Sequence, residues 1–120
     1  MSRKVITATG TASSSNPFSP GIVVGQLVFV AGQTAQEIQG FEAQTRAVLE
    51  QLGAILRAAG SDYSRVARCG VYLKDITDYP MMNEIYREYF QTDPPARTTI
   101  GCPLAHPDIL VEVDCVAEVS

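Results

Sequence analysis

The chain has 120 residues, 46% of them hydrophobic and 18% charged, proportions of a globular domain rather than a disordered one. Its 9 basic and 13 acidic side chains leave a formal net charge of −4, which argues against a nucleic-acid surface built from a basic stripe. The longest apolar run, Leu27–Ala31, falls far short of the ~20 residues of a membrane span, and no apolar segment follows the basic start at Arg3 and Lys4, so neither a membrane partner nor a secretory signal is expected.

In chain order, the first strand candidate is Lys4–Thr9. The segment from Ser13 to Gly21, rich in Ser, Pro and Gly, reads as a loop, and Ile22–Ala31 as a second strand whose Leu27-Val28-Phe29-Val30 run suits burial on both faces. From Phe41 to Ala59 the period becomes helical: Val48, Leu49, Leu52, Ile55, Leu56 and Ala59 make one apolar stripe, and Gly60 is a stop signal. Val66–Leu73 reads as a strand with Ala67, Cys69, Val71 and Leu73 on one face. A second helix follows, with Asp78 as its expected N-cap and Pro80 in its first turn. Met82, Ile85, Tyr86, Tyr89 and Phe90 recur along it at helical spacing, and Pro94-Pro95 ends it. Two further strands, Ala96–Cys102 and Leu110–Val119, complete the chain. The last alternates cleanly, with Val111, Val113, Cys115, Ala117 and Val119 opposite Leu110, Glu112, Asp114, Val116 and Glu118. The order β-β-α-β-α-β-β predicts one α+β domain over residues 1–120, a single mixed sheet with both helices packed on one face.

Few side chains are placed to do chemistry. The three cysteines, Cys69, Cys102 and Cys115, include no Cys-x-x-Cys pair; unpaired thiols suit a reducing cytosol and hence a cytoplasmic protein. The single histidine, His106, has no short-spaced partners for zinc and no Gly-x-Ser-x-Gly elbow to join, so it reads as a loop residue. Phosphate-binding glycine motifs are absent. Arg97, at the entrance of a strand behind Pro94-Pro95, could grip a carboxylate through two parallel hydrogen bonds, or be a solvated surface arginine. Glu112 and Asp114 share one strand face roughly 6–7 Å apart. Either could orient or deprotonate a water, or simply be solvated.

Four stretches carry a family resemblance over nearly the full length: residues 16–21 (NPFSPG), 27–33 (LVFVAGQ), 82–90 (MNEIYREYF), and 95–99 (PARTT) followed by 110–117 (LVEVDCVA). In these the chain resembles the RidA (YjgF-like) superfamily of reactive-intermediate deaminases. The resemblance implies a chorismate-mutase-like fold assembled as a homotrimer, with active sites in clefts between subunits. It implies hydrolysis of 2-imino acids to 2-oxo acids and ammonia, without metal or organic cofactor. Arg97 matches the arginine that clamps the substrate carboxylate, and Asp114 is aligned with the glutamate that positions the attacking water. Asn83, Gly32 and Thr99 match pocket-lining positions. Phe18 stands where archetypal members have tyrosine, Ala31 where they have serine, and Thr99 where they have cysteine. The phenylalanine loop and the two helices are similar to the aminoacrylate deaminase branch, whose substrates are small enamine or imine acids. Two other readings stay open: a non-catalytic trimeric binder of small carboxylates, and an endoribonuclease or translation inhibitor, which the acidic balance disfavours.

Overall fold

A computed structural model describes residues 2–8 and 15–119. Thr9 and Ser13, within the first expected strand and loop, lie outside the described residues. Six strands form one sheet in the order β1-β2-β3-β6-β4-β5. In chain order these are β1 (Lys4–Ile6), β2 (Gly21–Val24), β3 (Leu27–Gln33), β4 (Val66–Leu73), β5 (Ala96–Gly101) and β6 (Val111–Glu118), with helices α1 (Phe41–Ala58) and α2 (Tyr79–Tyr89) between them. The sheet is mixed: β4 and β5 run parallel, joined by a crossover containing α2, and every other pair is antiparallel. The expected α+β class therefore holds.

The expected strand Ile22–Ala31 is instead a hairpin. Gly25, at φ 60°, turns the chain between Val24 and Leu27, which face each other across the ladder. A positive φ at the first central residue of a two-residue loop matches the twist of paired strands, and glycine adopts it without a Cβ penalty. Alternation in β4 also differs from the expectation. A bulge between Val66 and Arg68 buries Val66 and exposes Ala67, while Cys69, Val71 and Leu73 keep their inward positions.

The core lies between the helices and one face of the sheet. Val48, Leu49, Leu52, Ile55 and Leu56 of α1 and Met82, Ile85 and Tyr86 of α2 are buried against Val28, Val30, Val71, Val113 and Ala117. Gln44 is a polar clamp inside it. Its Nε2 donates to the carbonyls of Ile38 and Asp108, each at 2.9 Å, and its Oε1 accepts from the Leu110 amide at 3.0 Å. One side chain thereby ties the loop before α1 to the loop before β6. At the start of α2, Asp78 takes the N-cap position without a side-chain cap bond. Asp75 does the capping one turn earlier, accepting from the Thr77 amide at 2.9 Å, while Pro80 sits in the first helical turn. Among the described residues, no helix is long and apolar enough to cross a membrane.

Candidate active site

Strand register decides which face each candidate occupies. Arg97 pairs with Cys69 and Thr99 with Val71, both buried on the helix side, so Arg97 and Thr99 face α2. Arg97 is half-buried there. Its Cζ lies 4.7 Å from the Tyr86 ring centroid and 5.6 Å from that of Tyr79, and its Nη2 donates to Asn83 Oδ1 at 2.5 Å. The rings stabilise the cation and the amide fixes its orientation. No carboxylate pairs with Arg97 among the described residues, so the charge is held in place without being neutralised. Asn83 and Arg97 line one cleft of about 270 Å³, walled by Phe90, Pro94 and Pro95.

The two acids occupy the opposite face. Asp114 pairs with Gly70 and Glu112 with Tyr72, and both alternate away from the buried Val111, Val113 and Cys115. Asp114 is already engaged: its Oδ1 accepts from the buried Gly70 amide at 3.0 Å and its Oδ2 from the Tyr72 hydroxyl at 3.0 Å. A Cβ at Gly70 would lie 2.6 Å from Asp114 Oδ1 and from the Tyr72 hydroxyl, so any side chain there would push both groups out of this arrangement. The bond to Asp114 also raises the Tyr72 pKa, with burial adding to it.

Glu112 differs from its neighbour. Its side chain folds over Gly32, where a Cβ would collide with Oε2, and it takes no hydrogen bond from a described residue. Burial first, and the Asp114 charge second, push its pKa above the ordinary glutamate value. Gly32 and Ala31 form a bulge in β3: Val30 pairs with Cys115 and Gln33 with Val113, leaving two residues opposite Asp114 alone. Buried Gln33 steadies the bulge by donating from Nε2 to the Ala31 carbonyl at 2.9 Å. Among the described residues Glu112 thus keeps its carboxylate oxygens open, whereas Asp114, the acid expected to position the water, uses both of its own. Asp114 is committed to β4.

Phe18 lies elsewhere again. It is 51% exposed and lines a cavity of about 580 Å³ with Arg3, Val5 and Asn16, beside β1 at the far edge of the sheet from Arg97. The expected site residues therefore fall into three groups: Arg97, Asn83 and Thr99 under β5; Ala31, Gly32, Glu112 and Asp114 on the open face; and Phe18 at the β1 edge. The sheet itself separates the first two groups. Tyr86, whose helical spacing implies core packing, also carries Arg97, and Tyr79 in the first turn of α2 adds a second ring that no spacing in the sequence singles out. His106 is a loop residue, its Nδ1 accepting from the Asp108 amide at 3.1 Å. Burial raises the thiol pKa of Cys69 to about 11 and that of Cys115 further, so neither is an activated nucleophile.

The profile of the family described as Endoribonuclease L-PSP matches residues 9–119. A RutC family protein of Pyrococcus abyssi is 36% identical over 124 residues, covering 98% of each chain. Among solved structures, Escherichia coli TdcF with bound serine superposes with a TM-score of 0.89 at 27% identity, covering 98% of this chain and 99% of that one. A member of the conserved Rid protein family from Yersinia pestis, YyfA, gives a TM-score of 0.90 at 26% identity, over 98% of this chain and 100% of that one. With its profile match, its RutC relatives and a fold superposing end to end on Rid proteins, the chain belongs to the Endoribonuclease L-PSP family, the YjgF-like RidA superfamily.

Proposed function

We propose that this protein is a cytoplasmic deaminase of small 2-imino or enamine carboxylic acids, acting as a homotrimer whose sites form between chains. The observation that carries the reading is Arg97, a cation oriented by Asn83 and two tyrosine rings in a small cleft with no acid to neutralise it. A planar guanidinium so held suits a substrate carboxylate. The relative TdcF was solved with serine bound, and serine carries such a group.

The chemistry then asks for a proton donor and an oriented water. An enamine takes a proton at carbon to give the iminium ion, the protonated imine. Water adds to that carbon and loses a proton to form the carbinolamine, whose nitrogen gains one; the hydroxyl then gives up its proton as the C–N bond breaks, leaving the carbonyl and ammonia. A carboxyl group with a raised pKa can give and take protons through these steps. Glu112 has that property and free oxygens, so we assign it the water, with Asp114 holding the strand beside it. Because Arg97 and Glu112 lie on opposite faces of one sheet, the reading places Glu112 of one chain against Arg97 of the next. Aminoacrylate and iminopropanoate are substrates of suitable size.

Ammonia release from freshly generated iminopropanoate or aminoacrylate tests the reading. Arg97→Ala is expected to lower kcat/KM by about a hundredfold or more, the loss of a bidentate charged contact. Equal rates for variant and wild type would overturn it. A second reading, a non-catalytic carboxylate binder, is favoured by Phe18 and Ala31, which bring no hydroxyl to the site. It predicts thermal stabilisation by pyruvate with no ammonia formed. RNA cleavage, which the family description names, finds less support: 13 acidic side chains against 9 basic ones leave a net charge of −4, a poor match to a phosphate backbone.

A further inference from the structure

The cleft that holds Arg97 contains a second arginine. Arg87 lies on α2 one helical turn beyond Asn83, and Asn83, Tyr86, Arg87 and Phe90 share the helix face that lines the cleft. Arg87 is exposed and forms no ion pair with a described residue. Two nearby acids leave its charge uncompensated. Glu88 is held by Arg46 at 2.8 Å on the α1 side, and Glu84 makes no bond to Arg87. A chain of net charge −4 thus gathers two unpaired guanidinium groups around one space of about 270 Å³. Like charges facing a shared cleft repel, and an anion with two charged ends relieves that repulsion while satisfying both forks.

We infer that Arg87 forms a second anion subsite beside Arg97, so that the preferred ligands are small dicarboxylates, 2-imino or 2-oxo acids with a carboxylate at the far end. The inference rests on the assignment of Arg97 as the clamp for the first carboxylate. Arg97, oriented from below by Asn83 and the tyrosines, takes the carboxylate next to the reacting carbon. Arg87, exposed to solvent, takes the distal one. The rigid Pro94-Pro95 segment sets the far wall and limits chain length.

The test compares two ligands of equal chain length, 2-oxoglutarate and 2-oxopentanoate, which differ in the distal carboxylate. Titration calorimetry on the intact protein at fixed ionic strength is expected to show 2-oxoglutarate bound about threefold tighter, the scale of one added charged contact at an exposed site. Arg87→Gln should bring the two dissociation constants together, and Arg87→Glu should reverse their order. A wild-type ratio near one, or a ratio unmoved by Arg87→Gln, overturns the subsite. Ammonia release from the corresponding imines separates this from the deaminase reading. A binding preference that follows Arg87 without turnover keeps the subsite and removes the deaminase. Turnover with no preference does the reverse.

Discussion

Glu112 and Asp114 illustrate how two acids on one strand face acquire different duties from what lies opposite them. Asp114 meets a glycine whose amide is free to donate and a tyrosine hydroxyl, so both its oxygens are occupied. Removing it orphans the buried Gly70 amide, and Asp114→Ala should cost about 2 kcal/mol in urea unfolding. Glu112 meets Gly32 and keeps its oxygens open. Glu112→Gln is expected to lower kcat/KM by about a hundredfold, the usual scale for a positioned acid or base, without a matching loss of stability. The pH dependence separates the two further. The folded-state pKa of Glu112 lies above its unfolded value, so the folded chain binds more protons than the unfolded one. Its contribution to stability is complete below the unfolded pKa and is lost as pH rises through the folded one. Thermal melts should therefore show Glu112→Gln gaining on wild type between acid and neutral pH.

At the level of elements, the site depends on irregularities more than on regular ladders. The bulge at Ala31 and Gly32 opens the space Glu112 occupies, and the bulge at Val66–Arg68 lets β4 keep Cys69 inward. Helix α2 serves twice, burying Met82 and Ile85 while presenting Asn83 and Tyr86 to Arg97. The loops that flank the sheet are tied by Gln44, which satisfies three backbone groups. Gln44→Leu preserves much of its volume and leaves all three groups unpaired, so it should lower unfolding stability by about 3 kcal/mol, measured by urea denaturation. Much of this level was legible in the sequence. The helical stripe of α1 and the alternation of β6 are local periodicities, visible wherever one face is buried. The hairpin at Gly25 was not, because one glycine inside an apolar run reads equally as part of a buried strand.

The whole molecule poses the sharpest constraint. A sheet stands between Arg97 and Glu112, and Phe18 lies at its far edge, so one chain cannot bring these groups around a single small ligand. Val5, Leu27, Phe29 and Ile100 are exposed hydrophobics. Shared sites make a specific prediction. Arg97→Ala and Glu112→Gln proteins, each inactive alone, should complement when unfolded together and refolded. With random assembly of a closed ring, roughly a quarter of the interfaces pair an intact Arg97 with an intact Glu112. Ammonia release near that fraction of wild type would establish sites between chains, and no recovery would overturn the assignment of Arg97 and Glu112 to one shared site.

By itself, the sequence determined the class of fold, the helices, the identity of the strand that carries both acids, and the arginine behind two prolines. These follow from patterns within a few residues of one another, where burial and backbone geometry leave a periodic trace. Only the tertiary structure decided which acid is free, which face Arg97 takes, and what supports it. Those facts depend on register between strands distant in the chain: Gly70 against Asp114, Cys69 against Arg97, and two residues of β3 against one of β6. A shift of one residue would exchange the faces of every side chain on a strand. No local pattern around Glu112 or Asp114 encodes which glycine each will meet.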